Sequence, residues 1–316
     1  TFKGAGALDP RGYPIMYVGA GYNSNEGTAK VFIVNLLDCS VMYTFGDNDE
    51  FSLRGSLSFF DGSALVDAET DTLIYPGENG ILQGYFELIG MPYSTCDVLV
   101  SALTFSKFLL NQYLKGFGIR VAESLLVKKK NGITDEQVME TIGLPCFIKP
   151  NASGSSFGVT KVKTKEQIQP ALEAAFKESD DVMIEAFMDG IELANGCYKT
   201  HDKSVVFPIT EVVSKNEFFD FNAKYKGEVT EITPARLSPE LTQRVQQLTS
   251  AIYDILDCKG IVRVDYIITE GDKINMLEIN TTPGMTATSF IPQQVRAAGL
   301  DIKDVMTDII EDHFRQ

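Results

Sequence analysis

The chain has 316 residues, 44% of them hydrophobic and 22% charged, the balance expected of a soluble globular protein with room for two or three cores. Its formal net charge of −15 sets aside nucleic acid and anionic membrane surfaces as main partners. There is no run of about 18 or more apolar residues, as a membrane helix needs, and the first ten residues lack the basic-then-apolar pattern of a secretory signal.

Residues 1–70 have weak periodicity, with candidate strands at 15–18 and 31–36 around a loop rich in glycine and asparagine. From residue 77 the signal sharpens. Helices are predicted over 80–89 and 101–117, a strand over 121–127, and a helix over 134–142 opened by the capping residue Thr134. Short strands follow at 146–149, 159–162 and 182–187, with a helix at 165–178 interrupted near its start by Pro170. Further strands are expected at 196–200, 204–213 and 232–234. Residues 241–256 carry Val245, Leu248, Ile252 and Ile255 at helical spacing, and a last helix is expected over 300–314. This mixture reads as α/β and α+β, with breaks near residues 100 and 190 that suggest three lobes.

Two stretches carry chemistry. In residues 260–286 two alternating strands flank a Glu-Gly-Asp turn. Alternation puts Arg263 and Asp265 on one face of the first strand, and Glu278 and Asn280 on one face of the second. Oxygen donors of this kind suit Mg²⁺ bridged to phosphates, and an arginine beside them suits a developing anion. A hairpin with a polar outer face would carry the same residues, but the Asn-Thr-Thr-Pro-Gly-Met-Thr loop that follows offers backbone N–H groups to an anion. The second stretch is Lys149 at a strand end, then a Gly- and Ser-rich loop, then another strand. It lacks the Gly-Lys-Ser/Thr of a Walker A loop, yet its small residues would let amides approach phosphate oxygens.

The five cysteines, Cys39, Cys96, Cys146, Cys197 and Cys258, are scattered and form no CxxC. They read as reduced, mostly buried thiols of a cytoplasmic protein. A nucleophilic Cys–His pair has little support, because only His201 and His313 exist.

From residue 76 to 310 the chain resembles the ATP-grasp superfamily, and within it the D-alanine–D-alanine ligases. The motifs, in order, are PGENGILQG, FIKPNASGSSFGV, IEAFMDGIE, AKY, ITPARL, GIVRVD and EINTTPGMTATS. The resemblance implies a Rossmann-like N-terminal domain with a parallel sheet (1–100), a central lobe (101–190) and a C-terminal lobe with the metal and substrate site (191–316). It implies ATP and two Mg²⁺ (or Mn²⁺) as cofactors, D-alanine as substrate, and a homodimer as the assembly. Lys107 and Lys149 match lysines on the ATP phosphates. Glu185, Ala186, Phe187 and Met188 match the segment that lines adenine, and Glu192 the ribose-binding acid. Ser155 and Ser156 match a loop that closes over the triphosphate, and Lys224 and Tyr225 a second closing loop. Asp265, Glu278 and Asn280 match the metal ligands. Arg263 and the Gly284 N–H match the oxyanion stabilisers, and Ser289 the group that holds the second D-alanine carboxylate. The implied reaction joins two D-alanines through an acyl phosphate, for peptidoglycan precursors. The tyrosine at 225 looks like the dipeptide-forming type. Two departures stand out. Glu26 is the candidate for the acid on the first substrate's amino group, but its loop is one residue longer than the family's. Leu73 and Ile74 occupy the place of a His-Gly pair.

Overall fold

The computed structural model describes residues 79–90, 92–152, 158–214 and 229–313, together with six strand backbones before residue 75. Glu26, Ser155, Ser156, Lys224 and Tyr225 lie outside the described residues. The early strands are β1 (Ala7–Leu8), β2 (Ile15–Asn23), β3 (Thr28–Asn35) and β4 (Val41–Phe45), which form one sheet in that order, and the pair β5 (Leu65–Asp67) and β6 (Thr72–Ile74). All of these pairings are antiparallel. They differ from the parallel, Rossmann-like sheet that the resemblance implied for residues 1–100. Chain length explains the pairing: four residues separate β2 from β3, whereas a parallel crossover needs about a dozen or more.

The central sheet has the order β7 (Ser124–Lys128), β10 (Asp181–Ala186), β8 (Cys146–Pro150), β9 (Thr160–Val162), with every pairing antiparallel. Period-two alternation turns Cys146, Ile148, Val162, Val182 and Ile184 towards the helix Ile168–Glu178. Pro170 falls in that helix's first turn, where a missing N–H costs little, so the helix is not interrupted there. The helix Asp135–Thr141 opens at the N-cap Thr134, as its sequence predicts, and the structure adds a reciprocal capping box with Gln137.

The second sheet runs β14 (Val229–Ile232), β13 (Thr210–Ser214), β11 (Ile191–Lys199), β15 (Val262–Thr269), β16 (Lys273–Asn280), and β12 (Ser204–Val206) pairs with β11. One face buries Leu193, Cys197, Val262, Val264, Tyr266, Met276 and Ile279 against the helix Pro239–Ile255. Val100, Leu110 and Leu114 complete this core. They come from two helices, Val98–Phe105 and Lys107–Lys115, rather than the single helix expected over 101–117. The break is Ser106, whose ψ of 95° is extended. Two further helices, Phe290–Ala297 and Ile302–His313, close the chain. The first was not anticipated, and the second matches the helix expected over 300–314.

Gly190 joins the two sheets. A Cβ built there would lie 2.1 Å from the Ile268 carbonyl oxygen, a backbone atom held in the β11–β15 ladder that cannot swing aside. Gly190→Ala is expected to lower stability by about 1–3 kcal/mol, read as an earlier denaturation midpoint. An unchanged midpoint would show that the junction is loose.

Candidate functional site

The hairpin β15–β16 turns through Gly271 and Asp272, both with left-handed φ (74° and 52°), as a tight hairpin turn requires. Near the turn Ile267 faces Asn275 and Tyr266 faces Met276. The register then shifts, and Asp265 faces Glu278 while Arg263 faces Asn280. Leu277 is the extra residue of the bulge. Without it Glu278 would stand opposite Val264, on the core face. The bulge therefore collects Arg263, Asp265, Glu278 and Asn280 on one face. There the Arg263 Nε and Nη2 donate to the Asp265 Oδ1 and Oδ2, both at 2.8 Å. This bidentate pair is 13% and 11% exposed. The Asn280 Nδ2 donates more weakly to the Asp265 Oδ2 at 3.4 Å.

The neighbouring strand presents small residues to this cluster. Ala194 stands opposite Asp265 and Gly196 opposite Arg263. Glu192, half-buried, shares the face two residues before Ala194. The helix Phe290–Ala297 docks here through Gln294, which is fully buried. Its Oε1 accepts from the Gly196 N–H at 2.8 Å. Its Nε2 donates to the Ala194 carbonyl at 2.9 Å and to the Thr210 Oγ1 at 3.0 Å. A larger residue at 196 would meet the Ile291 Cδ1 at 2.4 Å and the Gln294 Oε1 at 2.8 Å. Docking carries Phe290 over Arg263, with 5.2 Å from guanidinium to ring centroid. It also sets Ser289 as the helix N-cap, whose hydroxyl lies 2.7 Å from the Thr286 Oγ1. Gly284 lies in the loop between β16 and this helix, half-buried.

The outward face of the central sheet carries a second charged group. Lys149 stands opposite Met183, two residues from Glu185 on the same face. The Lys149 Nζ donates to the Glu185 Oε1 at 2.7 Å, with side-chain exposures of 10% and 4%. At the end of β10 the chain is stitched down: the Ala186 N–H donates to the Glu123 carbonyl (2.9 Å) and the Phe187 N–H to the Pro145 carbonyl (3.2 Å). The Phe187 ring packs on Phe147 with centroids 5.9 Å apart, and the Lys161 Nζ sits 3.6 Å from its centroid. A cavity of about 520 Å³ opens here, lined by Leu144, Pro145, Lys161, Lys163, Phe187 and Asp189. Met188 follows, half-buried. Lys107 begins its helix beside the end of β8, and its N–H donates to the Asn151 carbonyl at 3.1 Å.

The structure thus groups the expected residues into two sets, Arg263, Asp265, Glu278 and Asn280 with Glu192 on one sheet, and Lys149, Glu185 and the 186–188 segment on the other. Sequence reading missed Gln294, Phe290 and Asn151. The buried Gln294 had no signal of its own, whereas Ser106-Lys107 held a faint one: a cation at a helix start is electrostatically misplaced. The buried Glu211 of β13 accepts from the Arg236 guanidinium and backbone N–H. That guanidinium holds the Glu211 carboxyl below the usual carboxylate range. The described cysteines are free and buried. Burial pushes the Cys146 thiol up to about 11 and Cys197 up to about 12, which makes them poor nucleophiles.

Two antiparallel sheets, one presenting a buried lysine and the other an Arg-Asp-Glu-Asn cluster, define an ATP-grasp fold. The family model described as "D-ala D-ala ligase C-terminus" matches residues 113–311. A D-alanine–D-alanine ligase from Phocaeicola vulgatus is 77% identical over 270 residues, covering 85% of this chain and 82% of the relative. Among solved structures, the VanG D-Ala:D-Ser ligase from Enterococcus faecalis superposes with a TM-score of 0.67 at 33% identity, over 75% of this chain and 69% of that one. A D-alanine–D-alanine ligase from Bacillus anthracis complexed with ATP superposes at 0.64 and 29% identity, over 75% of each chain. The chain belongs to the D-alanine–D-alanine ligase family.

The Lys149–Glu185 pair makes a stability test. Glu185→Ala leaves a buried cation without its carboxylate, which costs about 3–5 kcal/mol. A Lys149→Met/Glu185→Leu double variant removes both charges and should regain most of that loss in chemical denaturation. Equal stability of Glu185→Ala and the unaltered chain would show that the pair is solvated.

Proposed function

We propose that the chain is an ATP-dependent ligase that joins two D-alanine molecules into D-alanyl-D-alanine. The single observation that carries this reading is the convergence of Arg263, Asp265, Glu278 and Asn280 on one sheet face, produced by the bulge in β16. Family membership and the ATP complex of a related ligase support it.

In this reading the D-alanine carboxylate attacks the γ-phosphorus of ATP and ADP departs, leaving D-alanyl phosphate. The amine of a second D-alanine then attacks the acyl carbon, phosphate leaves, and the amine proton is lost. Lys107 and Lys149 neutralise the phosphates. The 185–188 segment lines adenine, and Glu192 holds the ribose. The Ala186 and Phe187 N–H groups are already engaged by Glu123 and Pro145 and Glu185 lies within the ladder, so the backbone groups of 186–188 left over by these bonds read the adenine edge. Arg263 and the Gly284 N–H stabilise the oxyanion formed at the acyl carbon, and Ser289 receives the second D-alanine carboxylate. Glu26 binds the first substrate's amine, while Ser155, Ser156, Lys224 and Tyr225 close over the site and exclude water from the acyl phosphate.

Asp265, Glu278 and Asn280 would hold two Mg²⁺ (or Mn²⁺) ions, and their donor chemistry fits: two carboxylates and a carboxamide are hard oxygen ligands. Ions held by these residues would supply charge neutralisation to the transferring phosphoryl group. Arg263 now neutralises Asp265, and a switch of the guanidinium from carboxylate to substrate oxyanion would free that carboxylate for metal.

No described helix is long and apolar enough to cross a membrane. A cytoplasmic enzyme, where ATP and reduced thiols coexist, fits the free buried cysteines. A homodimer fits the exposed Ile81, Leu88 and Leu99.

The structural likeness to a D-Ala:D-Ser ligase keeps a second reading alive, in which the second substrate is another D-amino or hydroxy acid. An ADP-release assay separates the two. D-alanine with Mg²⁺ should support turnover alone, and D-serine or D-lactate added as second substrate should compete poorly. Turnover only when D-serine or D-lactate is present would favour the second reading. Glu278→Ala should lower turnover about a hundredfold or more with the fold retained. Near-normal activity of that variant would remove the metal assignment.

A further inference from the structure

The helix Lys107–Lys115 is seated on the core of the second sheet through Leu110 and Leu114. Lys149 belongs to the central sheet, which packs around a different core. Two lysines assigned to one triphosphate therefore come from separately packed bodies, and their spacing has to be set by something between them. Ser106, the helix's own N-cap residue, makes no capping hydrogen bond with its side chain. The cap comes from Asn151 instead, two residues beyond Lys149 and 43 from Phe108. The Phe108 N–H donates to the Asn151 Oδ1 at 2.9 Å. The Lys107 N–H donates to the Asn151 carbonyl at 3.1 Å. The Asn151 Nδ2 donates to the Ser106 Oγ at 2.9 Å. The Asn151 N–H is itself anchored on the Asp181 carbonyl at 2.9 Å. Asn151 is buried, at 6% exposure.

We propose that Asn151 is a positioning residue for ATP: its carboxamide caps the Lys107 helix from the end of β8 and so fixes the spacing of Lys107 and Lys149. Each of its three hydrogen bonds to the helix start involves a residue at or next to Lys107. Two of the three run through the carboxamide; losing them orphans the half-buried Phe108 N–H and leaves only the backbone carbonyl of residue 151 to tie the helix start to β8. The inference rests on the proposed reading in which both lysines bind the ATP phosphates.

The test is equilibrium titration with a non-hydrolysable ATP analogue and Mg²⁺, together with steady-state kinetics in D-alanine. The proteins are the unaltered chain, Asn151→Ala, Lys107→Ala and the double variant. Asn151→Ala should weaken analogue binding about tenfold and leave the D-alanine KM within about twofold. The double variant should bind no more weakly than Lys107→Ala alone, because the carboxamide acts through that lysine. Asn151→Ser keeps a hydroxyl acceptor and should fall between, and it carries the test if Asn151→Ala does not fold. Additive losses in the double variant, or a D-alanine KM raised as much as the analogue Kd, would reduce Asn151 to a purely structural cap and overturn the proposal. Unchanged analogue binding by Lys107→Ala would overturn the reading of Lys107 itself, a failure visible without any change at Asn151.

Discussion

One extra residue in β16 organises the site. A β-strand alternates faces at every step, so a slip of one residue moves all later side chains to the opposite side. Before the bulge, Met276 is in the core with Tyr266; after it, Ile279 is in the core with Val264. Both apolar residues are satisfied only because Leu277 is left unpaired. The same slip gathers Arg263, Asp265, Glu278 and Asn280 on the other face. Core packing and site assembly are thus two results of one backbone irregularity, and a substitution that removed the bulge would disturb both.

Each charged cluster is held by partners that substrates could replace. Arg263 is fixed on Asp265, and Lys149 on Glu185, both within 2.8 Å. A buried ion pair costs desolvation that its attraction only partly offsets, so such pairs are weak grounds for stability. In the proposed reading they hold cationic groups in place, already stripped of water, where anionic oxygens would arrive. Small residues at 194 and 196 and the buried amide of Gln294 serve the same end. They bring the helix Phe290–Ala297 down onto the sheet, which sets Phe290 over Arg263.

The fold beyond residue 80 was legible where periodicity was strong. The helix Pro239–Ile255, the N-cap at Thr134 and the hairpin strands all follow from side-chain spacing, capping and turn residues. The order of motifs pointed to the ATP-grasp fold as a whole. What the sequence hid was set by contacts distant in the chain. The kink at Ser106 depends on Asn151, and the docking of the helix Phe290–Ala297 depends on Gly196 and Thr210. The bulge was hidden as well, since simple alternation on both strands with a short turn would have sent Glu278 to the core face. At the N-terminal end the resemblance implied a parallel sheet, and the described strands pair antiparallel because their connections are short.

The central claim is that the two charged sheet faces grasp one nucleotide between them. A crystal structure with a non-hydrolysable ATP analogue, Mg²⁺ and D-alanine tests it most directly. The phosphate chain should lie between Lys149 and the Asp265–Glu278–Asn280 cluster, with adenine against the 185–188 segment. Phosphates bound away from either face, or a Lys149 still closed on Glu185 with no nucleotide near it, would contradict the account.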